Sequence, residues 1–182
     1  MKVTAGEFKG RKIRVPVDNR IRPTAGKVKE AMFSLLMNDV YDSVTVDLFG
    51  GTGNLGLEAL SRGARKCYFV DNSQASLRLI DENIDLCGVR DRSVVFRGHY
   101  LKFLASMKEK ADVILMDPPY RMGIPEKAIE AVLEYDVLNE DGVILVEHYH
   151  DEKLADSYGG LVRTRQKRYG TIVLSVFRFN SL

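Results

Sequence analysis

Cysteine is scarce in this chain. Cys67 and Cys87 are the only two in 182 residues, and neither belongs to a C-x-x-C spacing. That excludes a disulfide framework and a cysteine-built zinc fold. No apolar run approaches the ~20 residues that a membrane-spanning helix needs. The amino terminus also lacks the charged-then-apolar pattern of a secretory signal, so a reducing cytoplasm is the expected setting. No repeat or low-complexity segment interrupts the sequence. Of the three histidines, His148 and His150 share a side-chain direction if their strand continues. No third ligand stands near them, so no metal is expected. What remains is a chain that is 45% hydrophobic and 29% charged, enough to bury a full core and short enough for one main domain.

The net charge of +2 conceals an asymmetry. Residues 1 to 30 carry nine Lys or Arg against three acids, a surplus of six, which leaves the remainder of the chain at −4. A basic arm on a mildly acidic body is the electrostatic footprint of a polyanion binder. The same charge would also protect an exposed strand edge. KVTAGEFKGRKIRVP (2 to 16) reads as a β-hairpin around a Gly6 to Gly10 turn. The expected division is therefore 1–20, a basic N-terminal hairpin extension, and 21–182, the main domain.

A helix is expected from a Thr24 cap to about Asn38, with Val28, Met32, Leu35 and Leu36 as its apolar stripe. From residue 44 strands and helices alternate: strand 44–49, the helix LGLEALSRG, strand 66–71, and a helix capped by Ser73 with Leu77, Ile80 and Ile84 on one face. Strand SVVFR, a short helix, strand DVILM, a helix opened by Pro125 and strand 142–148 follow. Such alternation implies an α/β fold with a parallel sheet covered on both faces. The carboxyl end differs. LVRTRQKRYGTIVLSVFRF holds two strand-like runs separated by little more than Tyr169-Gly170, too few residues for a parallel crossover, so they must pair as an antiparallel hairpin.

The first strand runs into DLFGGTGNLG, which contains Gly51-x-Gly53-x-x-Gly56, and Asp71 ends the second strand. Glycines permit a tight turn and close approach of a ligand to the backbone, and an acid at that distance can bind ribose hydroxyls. An adenosine-containing cofactor is expected, either NAD or S-adenosylmethionine. Asp47 favours the second, because an acid before the glycines can hold a cationic amino acid end and would repel a pyrophosphate.

MDPPY ends the strand DVILM. Proline has no amide to donate, so Pro118 and Pro119 stop the ladder and stiffen the loop that presents Asp117. With a sulfonium cofactor beside it, this loop acquires a chemical use. If Asp117 and the Pro118 carbonyl accept the two N–H bonds of a nucleobase amine, the nitrogen can pyramidalise and aim its lone pair at the methyl group. Tyr120 then offers a ring on which an extruded base stacks.

GEFKGRKI, IRPTAGKVKEAMFSLL, DLFGGTGNLGLEALSRGA, FVD and MDPPY together resemble the RsmD-type bacterial methyltransferases, from about Val3 to Phe179. The resemblance implies a class I, Rossmann-like methyltransferase: a mostly parallel sheet ending in an antiparallel hairpin. It also implies methyl transfer from S-adenosylmethionine to guanine N2 of small-subunit (16S) ribosomal RNA, with free RNA or the assembled subunit as partner. Carried over position by position, Asp47, Phe49, Gly51, Gly53, Asn54, Asp71 and Asn72 would bind the cofactor, and Asp117, Pro118, Pro119 and Tyr120 would form the target-base site. Lys9, Arg11, Lys12, Arg14, Arg22 and Thr24 would meet RNA. Where related enzymes place an acid or amide near adenine, this chain reads Arg97-Gly98-His99-Tyr100, which makes His99 and Tyr100 the candidates there. Arg163, Arg165, Lys167 and Arg168 are a second basic cluster that could extend the RNA surface. Alternatives are N-methylation of a DNA base amine or a protein glutamine, and an NAD-dependent oxidoreductase.

Overall fold

The computed structural model describes residues 1–17 and 24–180; the side chains of Thr24 and Ala25 are not among those described, and Arg22 lies outside them. The described strands are β1 (Val44–Asp47), β2 (Lys66–Asp71), β3 (Ser93–Arg97), β4 (Ala111–Met116), β5 (Leu138–Tyr149), β6 (Ser157–Tyr158), β7 (Leu161–Tyr169) and β8 (Ile172–Phe179). They form one sheet in the order β3-β2-β1-β4-β5-β8-β7-β6. β3 through β5 are parallel neighbours, and β8, β7 and β6 complete the sheet in antiparallel pairing. The expected α/β architecture with its terminal hairpin is present.

Helices α1 (Thr24–Leu36), α2 (Asn54–Ser61) and α3 (Gln74–Cys87) cover one face, and α4 (Tyr100–Ser106) and α5 (Ile124–Glu134) the other. Alternation along each strand divides the core. Val113, Leu115, Val143 and Leu145 meet Met32, Leu57 and Ile80 on the first face. Ile114, Met116, Ile144 and Val146 meet Phe103, Leu104 and Ile129 on the second. Each fully buried aliphatic side chain contributes ~1.5 to 3 kcal/mol relative to exposure. The apolar stripe Val28, Met32, Leu35 and Leu36 is buried as expected. Ser73 caps α3, accepting from the Ser76 amide at 3.4 Å.

Three local expectations change. Helix α1 ends at Leu36, because Met37 turns left-handed at φ 47°. The strand expected over 142–148 begins earlier, at Leu138, with an irregular register between Ala111 and Val113. The expected hairpin over residues 2 to 16 is reduced to a single antiparallel bridge between Lys2 and Lys12. The Val3 and Ile13 amides still bond across it, to the Arg11 and Met1 carbonyls, but the Thr4 and Ala5 amides turn to Glu58 and the Phe8 amide to the Ser61 hydroxyl. Val3, Phe8 and Ile13 enter the first core cluster. Among the described residues no helix is long and apolar enough to cross a membrane.

Candidate active site

β1, β2 and β4 end at one edge of the sheet, and the turns beyond them build the site. The glycine loop follows β1. Gly51 is left-handed, φ +57°, and its amide donates to Asp71 Oδ2 at 2.9 Å. Asp71 Oδ1 accepts from the Ser73 amide at 2.8 Å, so this one acid ties the end of β2 to both the loop and the next helix. At Gly56 a Cβ would lie 2.3 Å from the Phe69 ring, so only glycine lets α2 rest on β2.

Asp47 is 1% exposed. Its Oδ2 accepts from the Gly56 amide at 3.0 Å, while Oδ1 is buried with no hydrogen-bond partner among the described residues. Burial, aided by repulsion from Asp71 and opposed by the Gly56 bond, pushes its carboxyl up to about 7. A buried carboxylate oxygen without a donor is costly. A ligand ammonium is the group that would relieve it.

Between the glycine loop with Asp71 and the DPPY turn opens a cleft of about 570 Å³, within the usual range for small-molecule sites. Gly51, Asp71 and Asn72 line one end and Asp117, Pro118, Pro119 and Tyr120 the other. Phe49, His99 and Tyr100 form an aromatic wall, the Tyr100 ring centre lying 5.1 Å from Phe49 and 4.5 Å from His99 in tilted contacts. His99 caps α4, its Nδ1 accepting from the Leu101 amide at 3.3 Å, which assigns the ring proton to Nε2 in the neutral form. Asp47, Gly53 and Asn54 do not line the cleft; Asp47 is buried one residue before Leu48, which does. Gly53 is the left-handed cap of α2, and the Asn54 side-chain oxygen accepts from Lys29 Nζ at 2.8 Å.

Asp117 opens onto the cleft. Its side chain is solvent-exposed, so the recess of the cleft desolvates the carboxyl only in part; that, then repulsion from Glu147 and from Asp47, raises its proton affinity above the usual carboxylate range. The Tyr120 hydroxyl donates to Glu147 Oε1 at 2.5 Å, and the Tyr120 and Tyr149 rings lie 5.5 Å apart. Arg121 covers Tyr149, 4.4 Å from the ring centre, and pairs with Asp151 at 3.0 Å. Sequence reasoning missed Glu147. Its signal was an acid at the end of the otherwise apolar strand GVILVEH, beside the strand that carries DPPY.

The basic residues separate by use. Lys9 and Lys12 are exposed. Arg11 donates to the Leu86 and Cys87 carbonyls, both at 3.1 Å, and so caps the last turn of α3. Arg14 pairs with Glu82 at 2.9 Å. Lys29 is 2% exposed and pairs with the fully buried Glu58 at 2.8 Å. In the second cluster Arg163 pairs with Asp156 and Arg168 donates to the Gly170 carbonyl at 2.8 Å. His148 is buried, with Nε2 on the Ser175 hydroxyl at 2.9 Å and Nδ1 on the Tyr149 carbonyl at 3.0 Å.

A mostly parallel sheet closed by an antiparallel hairpin, with a cleft between a glycine loop and a DPPY turn, defines the Rossmann-like methyltransferase class. The solved structure described as "Putative methyltransferase yhhF from Escherichia coli" superimposes with a TM-score of 0.89 at 27% identity, covering 100% of this chain and 99% of that one. A family model described as "Conserved hypothetical protein 95" matches residues 1–178. Bacillus subtilis YlbH, described as "Putative rRNA methyltransferase YlbH", is 33% identical over 98% of each chain. Haemophilus influenzae "Ribosomal RNA small subunit methyltransferase D" is 32% identical over 85% of this chain and 81% of its own. The chain belongs to the RsmD family of methyltransferases.

Proposed function

We propose that the protein transfers a methyl group from S-adenosylmethionine to the exocyclic N2 of a guanine in 16S ribosomal RNA, as free RNA or in the small subunit. The observation that carries this reading is one cleft joining the Asp71-held glycine loop to Asp117-Pro118-Pro119-Tyr120. The acidic surroundings fit a cationic cofactor. Asp47, Asp71, Asp117 and Glu147 would all disfavour a pyrophosphate, while the unpartnered Asp47 oxygen suits an ammonium.

When bound, S-adenosylmethionine supplies an electrophilic methyl group. Asp71 would accept from ribose hydroxyls, since each carboxylate oxygen can take a second donor beside the backbone amide it already holds. Phe49, His99 and Tyr100 would stack and shield the adenine side. Asp117 and the Pro118 carbonyl would accept the N–H bonds of the target amine, and Asp117, with its raised proton affinity, would take the proton that the nitrogen loses. The deciding experiment is tritiated methyl transfer to naked ribosomal RNA, small subunits, DNA and protein, followed by nucleoside and amino acid analysis. A label recovered as anything but N2-methylguanosine overturns the assignment.

Asp47 makes cofactor binding sensitive to pH. Its folded-state carboxyl titrates at about 7, and an ammonium can bind only after the proton leaves. Affinity for S-adenosylmethionine will therefore fall roughly five- to tenfold between pH 7.5 and pH 6. Asp47→Asn will bind weakly and flatten the profile. Calorimetry across that range checks this, and affinity independent of pH in the wild type would remove Asp47 from the cofactor site.

The arm supplies a separate test of RNA binding. Arg11 also caps α3, so Lys9 and Lys12 are the cleaner pair to neutralise. Replacing both with Gln will make the log–log salt dependence of RNA affinity shallower by up to about two units, roughly one for each phosphate no longer neutralised. Cofactor affinity will stay unchanged. Parallel salt slopes for variant and wild type would restrict the arm's charge to edge protection.

A further inference from the structure

We propose that Glu147 is a positioning residue of the methyl-transfer site: its carboxylate fixes the Tyr120 ring through the phenol hydroxyl and supplies a negative charge beside Asp117. The inference rests on reading Asp117 and Tyr120 as the target-amine site.

The geometry begins with register. β4 and β5 are parallel neighbours with Met116 opposite Val146, so Asp117 and Glu147 each stand one residue further on, at the ends of adjacent strands. Strand alternation sends both toward the face that carries Val113, Leu115, Val143 and Leu145. Glu147 is half-buried at the end of a run of buried apolar residues, an expensive position for a carboxylate unless donors meet it. The Tyr120 hydroxyl does so at 2.5 Å, the short distance of a charge-assisted bond.

Two consequences follow. A tyrosine on a loop has rotational freedom that a stacking platform must lose on binding its base. The bond to Glu147, with Tyr149 at 5.5 Å from the same ring, removes that freedom in advance. The hydroxyl of Tyr120 is therefore functional along with its ring, which sequence reasoning assigned to the ring alone. The second consequence is electrostatic. Among the described residues the ionisable groups around Asp117 are Asp47 from β1, Glu147 from β5, Asp71, His99 and Tyr100 on the cleft wall, and Tyr120 on its own loop. The largest repulsion on Asp117 comes from Glu147. A general base serves best when its proton affinity approaches the working pH, and a fixed neighbouring anion gives Asp117 that shift.

Three variants separate the two roles. Glu147→Gln keeps an acceptor for the phenol and removes the charge. The acid limb of the kcat profile should move down by about one pH unit, with KM for RNA within twofold of wild type. Tyr120→Phe keeps the charge and removes the bond. KM should rise about tenfold with the limb unmoved. Glu147→Ala should do both. Carbon-13 titration of the Asp117 carboxyl in wild type and Glu147→Gln, without substrate, reads the electrostatic half independently of activity, and S-adenosylmethionine affinity of all three variants checks folding. An Asp117 midpoint unchanged by Glu147→Gln overturns the charge role, and wild-type KM in Tyr120→Phe overturns the positioning role. If the acceptor is another amine, the substrate reading fails at product analysis, while the same kinetic contrasts, run with that acceptor, still decide the role of Glu147.

Discussion

Asp117→Ala will lower turnover by about 100-fold or more while leaving S-adenosylmethionine affinity within about twofold of wild type. The asymmetry comes from position. Asp117 stands at the DPPY end of the cleft, while Gly51, Asp71 and Asn72 stand at the other. Its carboxylate would act on an amine that becomes acidic only as the methyl group arrives, which is a transition-state interaction and not a ground-state one. Asp117→Asn separates two components of the effect. It keeps an acceptor for one N–H bond and loses the ability to take a proton, so it should retain more activity than alanine and lose the acid limb of the pH profile. That limb has a defined sign. Partial desolvation in the cleft and repulsion from Glu147 and Asp47 all favour the protonated carboxyl, so activity falls as the pH drops through a value above the usual carboxylate range. Single-turnover methyl transfer with saturating RNA and calorimetry with the cofactor alone are the two measurements. Turnover in Asp117→Ala within tenfold of wild type would reduce the DPPY turn to a rigid loop.

How far the sequence revealed this molecule follows from the range of the interactions involved. Strand–helix alternation, the apolar stripe of α1 and the Ser73 cap are local or periodic, and each is present. The antiparallel hairpin was legible because β7 and β8 are joined across Gly170 and Thr171, a length that permits one topology. The cleft was legible in outline because its walls are turns after strands, and turn residues carry their own signals. What stayed hidden was long-range pairing of side chains. Glu58 lies within LGLEALSRG as an ordinary helix acid, and nothing local says that Thr4, 54 positions earlier, will bond to it. Arg11 looked like a phosphate ligand, and its contact with the end of α3, 75 residues on, has no sequence signature. Asn54 stood in the glycine motif, but Lys29 from α1 holds its side-chain oxygen. The short β6 strand was missed for a related reason: two residues are too few to show a period.

Glu58→Gln will cost the fold ~3 to 5 kcal/mol, the loss expected when one partner of a buried ion pair is removed. Glu58 is completely buried and gathers five donors: the Thr4 amide and hydroxyl, the Ala5 amide, the Lys29 ammonium and the Arg62 guanidinium. Burial alone would raise its carboxyl, but the Lys29 and Thr4 bonds outweigh that and hold it below the ordinary value. Its contribution is therefore present at neutral pH and lost as the pH falls below the usual carboxylate range. Glutamine preserves the size and one acceptor while stranding the buried Lys29 charge, whose other bonds, to the Lys2 carbonyl and Asn54, are to neutral groups. Because Lys29 reaches the arm, α1 and the first residue of α2 through these bonds, the damage will spread in two directions. The arm will become cleavable by protease near Thr4 and Ala5, and cofactor affinity will fall because Asn54 follows directly on Gly53 of the glycine loop. Urea unfolding gives the stability change, and a loss below about 1 kcal/mol would mean that Lys29 is held well enough by the Lys2 carbonyl and Asn54 without a carboxylate partner. The functional signature is the order of failure: in limited urea the arm should release, and RNA binding decline, before the α/β core unfolds.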